Sequence, residues 1–297
     1  MLINAASLRS LYTAFNASCK NGLGMADSKR SVIATAINST TSENEYGWLG
    51  KFPGMRKWVG DRVINSISNH GYTIKNEDWE DTIGVDRNHI KDDNLGIYSA
   101  MFQEMGRAAE AHPDELCFGL LKAGFAEKCY DGQFFFDSDH PVLDKYNKPQ
   151  SVSNSGGGAG VPWFLIDDTR ALKPIIFQLR EALNFVSKDD PKDDNVFMRK
   201  EYLYGVDARY NVGFSFWQFA FGSKQDLEVG SYKDARARMR QMKGDFGRPL
   251  GIRPTTLVVP PEYEEAGLEI LNAERNDAGA TNVWKGTAKL EVVDWLS

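Results

Sequence analysis

Asp137-Ser138-Asp139-His140 is the stretch where chemistry-bearing side chains crowd most closely. Two carboxylates and an imidazole are donor types that hold a divalent metal, and a metal so held can activate water for hydrolysis. The same residue types also build tight turns, because Asp and Ser accept hydrogen bonds from nearby backbone N–H groups. Phe134, Phe135 and Phe136 before the stretch and Pro141 after it suit a strand end followed by a turn. The turn is the preferred reading, so no catalytic residue, metal ligand or cofactor is assigned.

The other chemical signals are weaker. His70, His89 and His112 sit in no HExxH-type pattern. Cys19, Cys117 and Cys129 are odd in number and lack CxxC spacing, which argues against a disulfide framework and a zinc finger. Gly156-Gly157-Gly158 lacks the Lys-Ser/Thr that a phosphate loop needs. The acids of 189–195 (DDPKDDN) lack the glycine and closing glutamate of a calcium loop. Arg236, Arg238, Arg240 and Lys243 point to alternating sides of a helix, as on a solvated surface.

Composition narrows the classes further. The 297 residues are 42% hydrophobic and 26% charged, enough for a sizeable core. A net charge of −6 and a pI of about 5.4 exclude coating DNA or anionic membranes as the main role. The start, MLINAASLRSLYTAF, has no signal-peptide core, and no apolar run reaches membrane-spanning length. A reducing cytoplasm and no membrane partner are expected. The first 42 residues carry Arg9, Lys20, Lys29 and Arg30 against Asp27 alone, a mildly basic arm.

These residues need elements to position them. Leu8, Leu11, Phe15 and Cys19 predict a short helix over 2–20 with one sticky stripe, ended by Asn21-Gly22-Leu23-Gly24. Residues 26–45, rich in Ser, Thr and Asn, predict an extended arm outside the core. In 46–90, Tyr46, Trp48, Phe52, Trp58, Tyr72 and Trp79 lie among glycines and charges. Short β-like runs fall at 62–67, 72–75 and 82–85, giving a β-excursion. Leu95, Tyr98, Phe102, Met105 and Ala109 predict a helix over 94–111, with Asp92, Asp93 and Asn94 as caps and Pro113 breaking or restarting it before Gly124. Residues 151–160 (SVSNSGGGAG) predict a flexible loop, and Leu172, Ile175, Ile176, Leu179 and Leu183 a helix over 168–186. From Tyr210 the apolar alternation flips phase at Trp217, predicting a bulge or a strand buried on both faces. A basic helix is expected over 231–242, a buried strand over 256–259, a helix from Pro261 and a strand over 288–296. The fold class is α+β.

Several blocks resemble the Mu-like phage major head subunit family. INAASLRSLYTAF resembles its opening helix, and NEDWEDTIGVDRNHIKDDNLGIYSAMFQEMGRAA its strand-to-long-helix passage. YDGQFFFDSDHPV, YGVDARYNVGFSFWQFAFGS, TTLVVPPEYEEAGLEIL and TNVWKGTAKLEVV are similar to later family blocks. The resemblance runs from residue 2 nearly to the end.

It implies the tailed-phage major capsid fold. The expected parts are an N-terminal arm (1–42), an extended β-loop (43–90), the spine helix of a peripheral domain (91–125), an axial domain (126–285) and a terminal strand returning to the peripheral domain (286–297). It implies a structural protein that self-assembles through pentamers and hexamers into an icosahedral shell around the phage double-stranded DNA, which it does not read by sequence. Trp48, Phe52, Trp58, Leu8, Leu11 and Phe15 are the expected inter-subunit contacts. The expected virion subunit is made in the host cytoplasm, with portal and decoration proteins as further partners. No charged scaffold segment precedes the first helix and the chain starts at Met1. Scaffold is therefore expected to act in trans, docking on Arg9, Lys20, Lys29 and Arg30. Two alternatives remain: an encapsulin-type bacterial shell protein, and a metal-dependent hydrolase using Asp137, Asp139 and His140.

Overall fold

The computed structural model describes residues 2–47, 49, 71–92, 94–275 and 279–297. Trp48, Phe52, Trp58 and the β-like run at 62–67 lie outside the described residues.

Helix α1 (Ala5–Leu23) begins at Asn4, whose side chain accepts from the Ser7 N–H while Ser7 Oγ accepts from the Asn4 N–H. Its stripe of Leu8, Leu11, Phe15, Cys19 and Gly22 is buried. Gly22 does not end the helix as expected; it lies inside it. A Cβ there would stand 1.9 Å from the Gln103 carbonyl oxygen, and a Cβ on Gly106 would stand 2.0 Å from that of Cys19. Glycine at both positions lets two helix backbones touch.

The partner helix is α4 (Gly96–Ala123), 28 residues long and unbroken through Pro113. The expected caps do not form: helix entry is at Leu95 without a side-chain cap. Asp86 instead caps the short helix α3 (Arg87–Lys91). The N-terminal half of α4 buries Tyr98, Phe102 and Met105 with α1, Val85, Tyr202 and Tyr204. Its C-terminal half buries Cys117, Phe118 and Leu121 in a second, larger core.

Two sheets flank it. The first, in order β1-β9-β10-β4, contains β1 (Ala34–Asn38), β4 (Glu77–Asp86), β9 (Ile175–Lys188) and β10 (Glu201–Phe214). Residues 175–188 are therefore strand, not helix. Ile175, Phe177, Leu179, Leu183 and Phe185 satisfy a period of two as well as their neighbours satisfy 3.6, and β10 alongside supplies the ladder that decides. The arm, too, is less free than expected. After α2 (Arg30–Ile33), β1 pairs in parallel with β9, and Ile33 and Ala34 are buried.

The second sheet, β13-β12-β8-β11-β7, comprises β7 (Ser155–Gly158), β8 (Trp163–Ile166), β11 (Ala220–Lys224), β12 (Thr256–Val259) and β13 (Lys289–Val292). Around it lie the hairpin β5 (His140–Leu143) with β6 (Pro149–Val152), and helices α6 (Val229–Gln241) and α7 (Glu264–Leu271). The glycine run is strand, not flexible loop. Gly158 has φ +92°, and a Cβ there would meet the Lys224 backbone at 2.3 Å, so only glycine lets β7 lie against β11. Past the phase flip near Trp217, β11 is buried on both faces as expected, but the flip itself is not a bulge. It is a 3-10 turn, Trp217–Phe219, that carries the chain from one sheet to the other.

β4 belongs to the first sheet, and β2 (Glu43–Glu45) and β3 (Thr73–Lys75), paired antiparallel, form a separate two-stranded base. Buried Gln178 fixes that base: it donates to the Ile74 carbonyl (3.0 Å) and Asn76 Oδ1 (2.7 Å) and accepts from Tyr46 Oη (2.7 Å). β9 and β10, joined through the 189–193 turn and α5 (Asp194–Arg199), leave the 126–285 stretch to pack with α1 and α4. The final strand stays in the second sheet, and only the end of the chain meets α4, where Lys122 binds the Ser297 carbonyl.

The crossing makes a test. Gly106→Val should lower unfolding free energy by about 2–4 kcal/mol, because backbone rather than a movable side chain blocks the Cβ. Gly119→Ala, where nothing lies within 4 Å, should be neutral or stabilising by up to about 1 kcal/mol. Chemical denaturation of both variants measures this.

Candidate inter-subunit surface

The acid–histidine stretch dissolves into two unrelated parts. Asp137 builds the expected turn, accepting from the N–H groups of Ser138 (2.6 Å) and Phe134 (3.3 Å). Asp139 accepts from Ser151 Oγ. The carboxylate facing His140 is instead Asp131, 2.7 Å from Nδ1. The triad Asp137–Asp139–His140 is thus not assembled, because the turn sends those carboxylates to backbone and serine.

His140 is fully buried and stacks on Trp217 with centroids 3.9 Å apart. Asp131 Oδ1 also takes a hydrogen bond from Cys129 Sγ (3.0 Å). Among the described residues, these three side chains bring metal-type ligand atoms within 4.8 Å of one another. As a nucleophile Cys129 is poor: burial pushes its thiol pKa up and Asp131 pushes the same way. Burial likewise raises Cys117. Burial pushes Asp131 up, but hydrogen bonds from His140, Cys129 and the Gln133 N–H, together with the His140 charge, outweigh it and hold the carboxyl below its ordinary value. Sequence spacing hid this group because its members come from positions 129, 131 and 140.

The basic candidates divide. Arg9 and Lys20 are exposed on α1. Arg30 is turned inwards, 3.0 Å from Asp114 and 2.7 Å from Glu110, and Lys29 Nζ donates to the Val292 carbonyl (2.8 Å). Asp114, 2% exposed, also receives Ser28 Oγ and the N–H groups of Lys29 and Arg30. Lys29 and Arg30 therefore pin the arm to α4 and are not available as docking cations. Leu8, Leu11 and Phe15 also leave the contact set. Phe15 stacks on Phe102 at 4.4 Å and meets Tyr204 at 5.1 Å, so the stripe is spent inside its own chain.

Other apolar groups are the exposed ones, and hydrophobic periodicity did not single them out. Ile97 and Met101 are 64% and 42% exposed, one turn apart on α4, and Phe197 and Met198 on α5 are 81% and 76% exposed. Leu2 is exposed as well. Large apolar groups left in water mark contact surfaces. Arg236 and Arg238 are occupied, one on the Pro254 carbonyl and the other on Asp234, while Arg240 is exposed. No described helix is long and apolar enough to cross a membrane.

Among the described residues, the interior holds no assembled Asp137–Asp139–His140 set and the surface carries stranded apolar groups. Comparison with known proteins gives this pattern a context. The model of the Mu-like prophage major head subunit gpT family matches residues 8–296. The chain belongs to that family. It is 43% identical over 305 residues, covering all of both chains, to the major capsid protein of Escherichia phage Mu. It is 44% identical over 275 residues to the Mu-like prophage FluMu major head subunit of Haemophilus influenzae, covering 90% of this chain and 89% of the relative. Among solved structures, a subunit of the bacteriophage JBD30 procapsid matches with 45% identity and a TM-score of 0.88, covering 99% of this chain and 100% of that one. The JBD30 capsid matches at 35% identity and 0.78, covering both chains fully. The chain is a structural shell protein of the Mu-like head, with the α+β major capsid fold.

The Arg30–Asp114 anchor gives a stability test for this subunit. Asp114→Ala should cost about 1–3 kcal/mol by removing one of Arg30's two carboxylate partners and leaving two backbone donors of the arm unpaired. Thermal unfolding of the unassembled chain measures it.

Proposed function

We propose that the chain assembles through pentamers and hexamers into a closed icosahedral shell around double-stranded DNA, in the host cytoplasm, without acting as an enzyme. Full-length similarity to the JBD30 procapsid subunit is the observation that carries this reading. An acidic subunit, net −6, suits a container that must let DNA enter and leave. Many moderate contacts repeated over a closed lattice convert weak pairwise affinity into a durable shell.

Trp48, Phe52 and Trp58, which lie between β2 and β3 in the sequence, are proposed as neighbour contacts. Ile97, Met101, Phe197 and Met198 join them as exposed apolar candidates. Portal, decoration proteins and a scaffold acting in trans complete the set of partners. Arg9 and Lys20, the two exposed cations of a helix without acids, are the remaining scaffold-docking candidates.

Electron microscopy of the purified chain, with and without a phage-encoded scaffold, tests the reading. Rings, tubes or shells are expected; monomers alone across concentration and salt, with the scaffold present, would refute it. Trp58→Ala should leave monomer melting nearly unchanged and weaken assembly by about 2 kcal/mol per contact, read as a higher concentration threshold in light scattering.

A further inference from the structure

Shell assembly makes no use of one group of chemistry-bearing side chains, Cys129, Asp131 and His140, packed beside the second sheet. His140 is 0% and Cys129 5% exposed. The orientation of the imidazole is fixed from outside. The Asn154 side-chain nitrogen donates to the carbonyls of Phe135 (2.8 Å), Trp217 (3.2 Å) and Ala220 (3.3 Å), so Oδ1 is the atom facing His140. His140 Nε2 lies 3.2 Å from that oxygen, which also accepts from the Asp137 N–H at 3.0 Å. Nδ1 lies 2.7 Å from one Asp131 carboxylate oxygen, and Cys129 Sγ lies 3.0 Å from the other. In the metal-free chain a ring proton on Nδ1 holds that contact. A metal ion can replace it, because thiol, carboxylate and imidazole bring three donor atoms within 4.8 Å of one another.

We propose that Cys129, Asp131 and His140 form a structural site for a divalent transition-metal ion of the zinc class. Thiolate, carboxylate and imidazole are the ligand types such ions take. The Nε2–H bond to Asn154 is the outer-sphere contact that fixes a ligating histidine's tautomer. Gly132, at φ +86°, makes the turn that brings Cys129 and Asp131 to one side. Ligand atoms stand about 3.5 Å apart around a tetrahedral ion, so the thiol and the ring approach by about an ångström while the 2.7 and 3.0 Å contacts to Asp131 open. On binding, the Cys129 S–H bond breaks, its proton goes to solvent and the sulfur electron pair binds the metal. Asp131 binds as a carboxylate, and the ring proton shifts from Nδ1 to Nε2, so the neutral ring binds through Nδ1 with no further proton released. A second Asp131 oxygen or a water fills the fourth position. The ion ties the 129–131 turn to the start of β5 and, through Asn154, to the head of β7.

Cobalt(II) titration of the chelator-treated full chain tests this. Expected are one equivalent bound per chain, a thiolate-to-cobalt charge-transfer band, one proton released per ion and a raised melting temperature. Zinc should displace the band. Cys129→Ser keeps a donor for Asp131, so its fold, checked by circular dichroism, should persist. Its band should vanish and its affinity should fall at least about tenfold. His140→Gln should also abolish binding; if it does not fold, Cys129→Ser decides. Absence of the band and of proton release overturns the proposal. So does binding that Cys129→Ser leaves unchanged, which marks an adventitious ion only.

Discussion

The contact of α1 with α4 at Gly22 and Gly106 governs much of what surrounds it. Apolar burial is strong, about 1.5–3 kcal/mol for a side chain such as Leu or Phe, but it has no direction and would accept many crossings. Backbone contact accepts one. With the other helix's carbonyl oxygen 1.9 or 2.0 Å from where each missing Cβ would stand, the two helices can approach only where both glycines coincide. That registry places Phe15 on Phe102 and Tyr204, and it delivers the end of α1 to Asp114, which receives Ser28, Lys29 and Arg30. The next residues then enter the first sheet as β1.

From that anchor, α4 serves two cores at once. Its first half belongs to the core shared with α1 and the four-stranded sheet, its second to the core of the five-stranded sheet. A single helix of 28 residues therefore couples the two sheets mechanically. This suits a shell subunit, which must transmit lattice forces without coming apart. The edge strand β4 carries Glu77, Asp78, Glu80 and Asp81, charges that discourage uncontrolled strand addition between subunits. Contacts that build a shell must be specific, and an unprotected edge is not.

Much of this was legible in the residues. The stripes of α1 and α4 are strict enough in period, and long enough, that tertiary context could not override them. The buried strand at 256–259 announced itself by three apolar residues between threonines and prolines. The Ile175–Lys188 strand did not, because its apolar residues fit both periods and only the β10 partner decides between them. The Ser151–Gly160 stretch looked flexible because glycine is ambiguous: the same freedom that loosens a linker lets β7 lie against Lys224. Leu8, Leu11 and Phe15 were visible as a sticky stripe, but a stripe does not name what it sticks to.

The sequence by itself determined the class, the family and which residues are apolar on one side of each helix, since these depend on composition, order and local period. Only the tertiary structure decided partners. It showed Arg30 turned onto Asp114, 84 positions further along the chain, rather than outward to a scaffold. It paired His140 with Asp131 and Cys129 instead of with Asp137 and Asp139 beside it. The reason is the same in both cases. A side chain's partner is set by which backbones can approach, and approach is fixed by contacts between residues far apart in the chain, at glycines whose significance local sequence does not reveal.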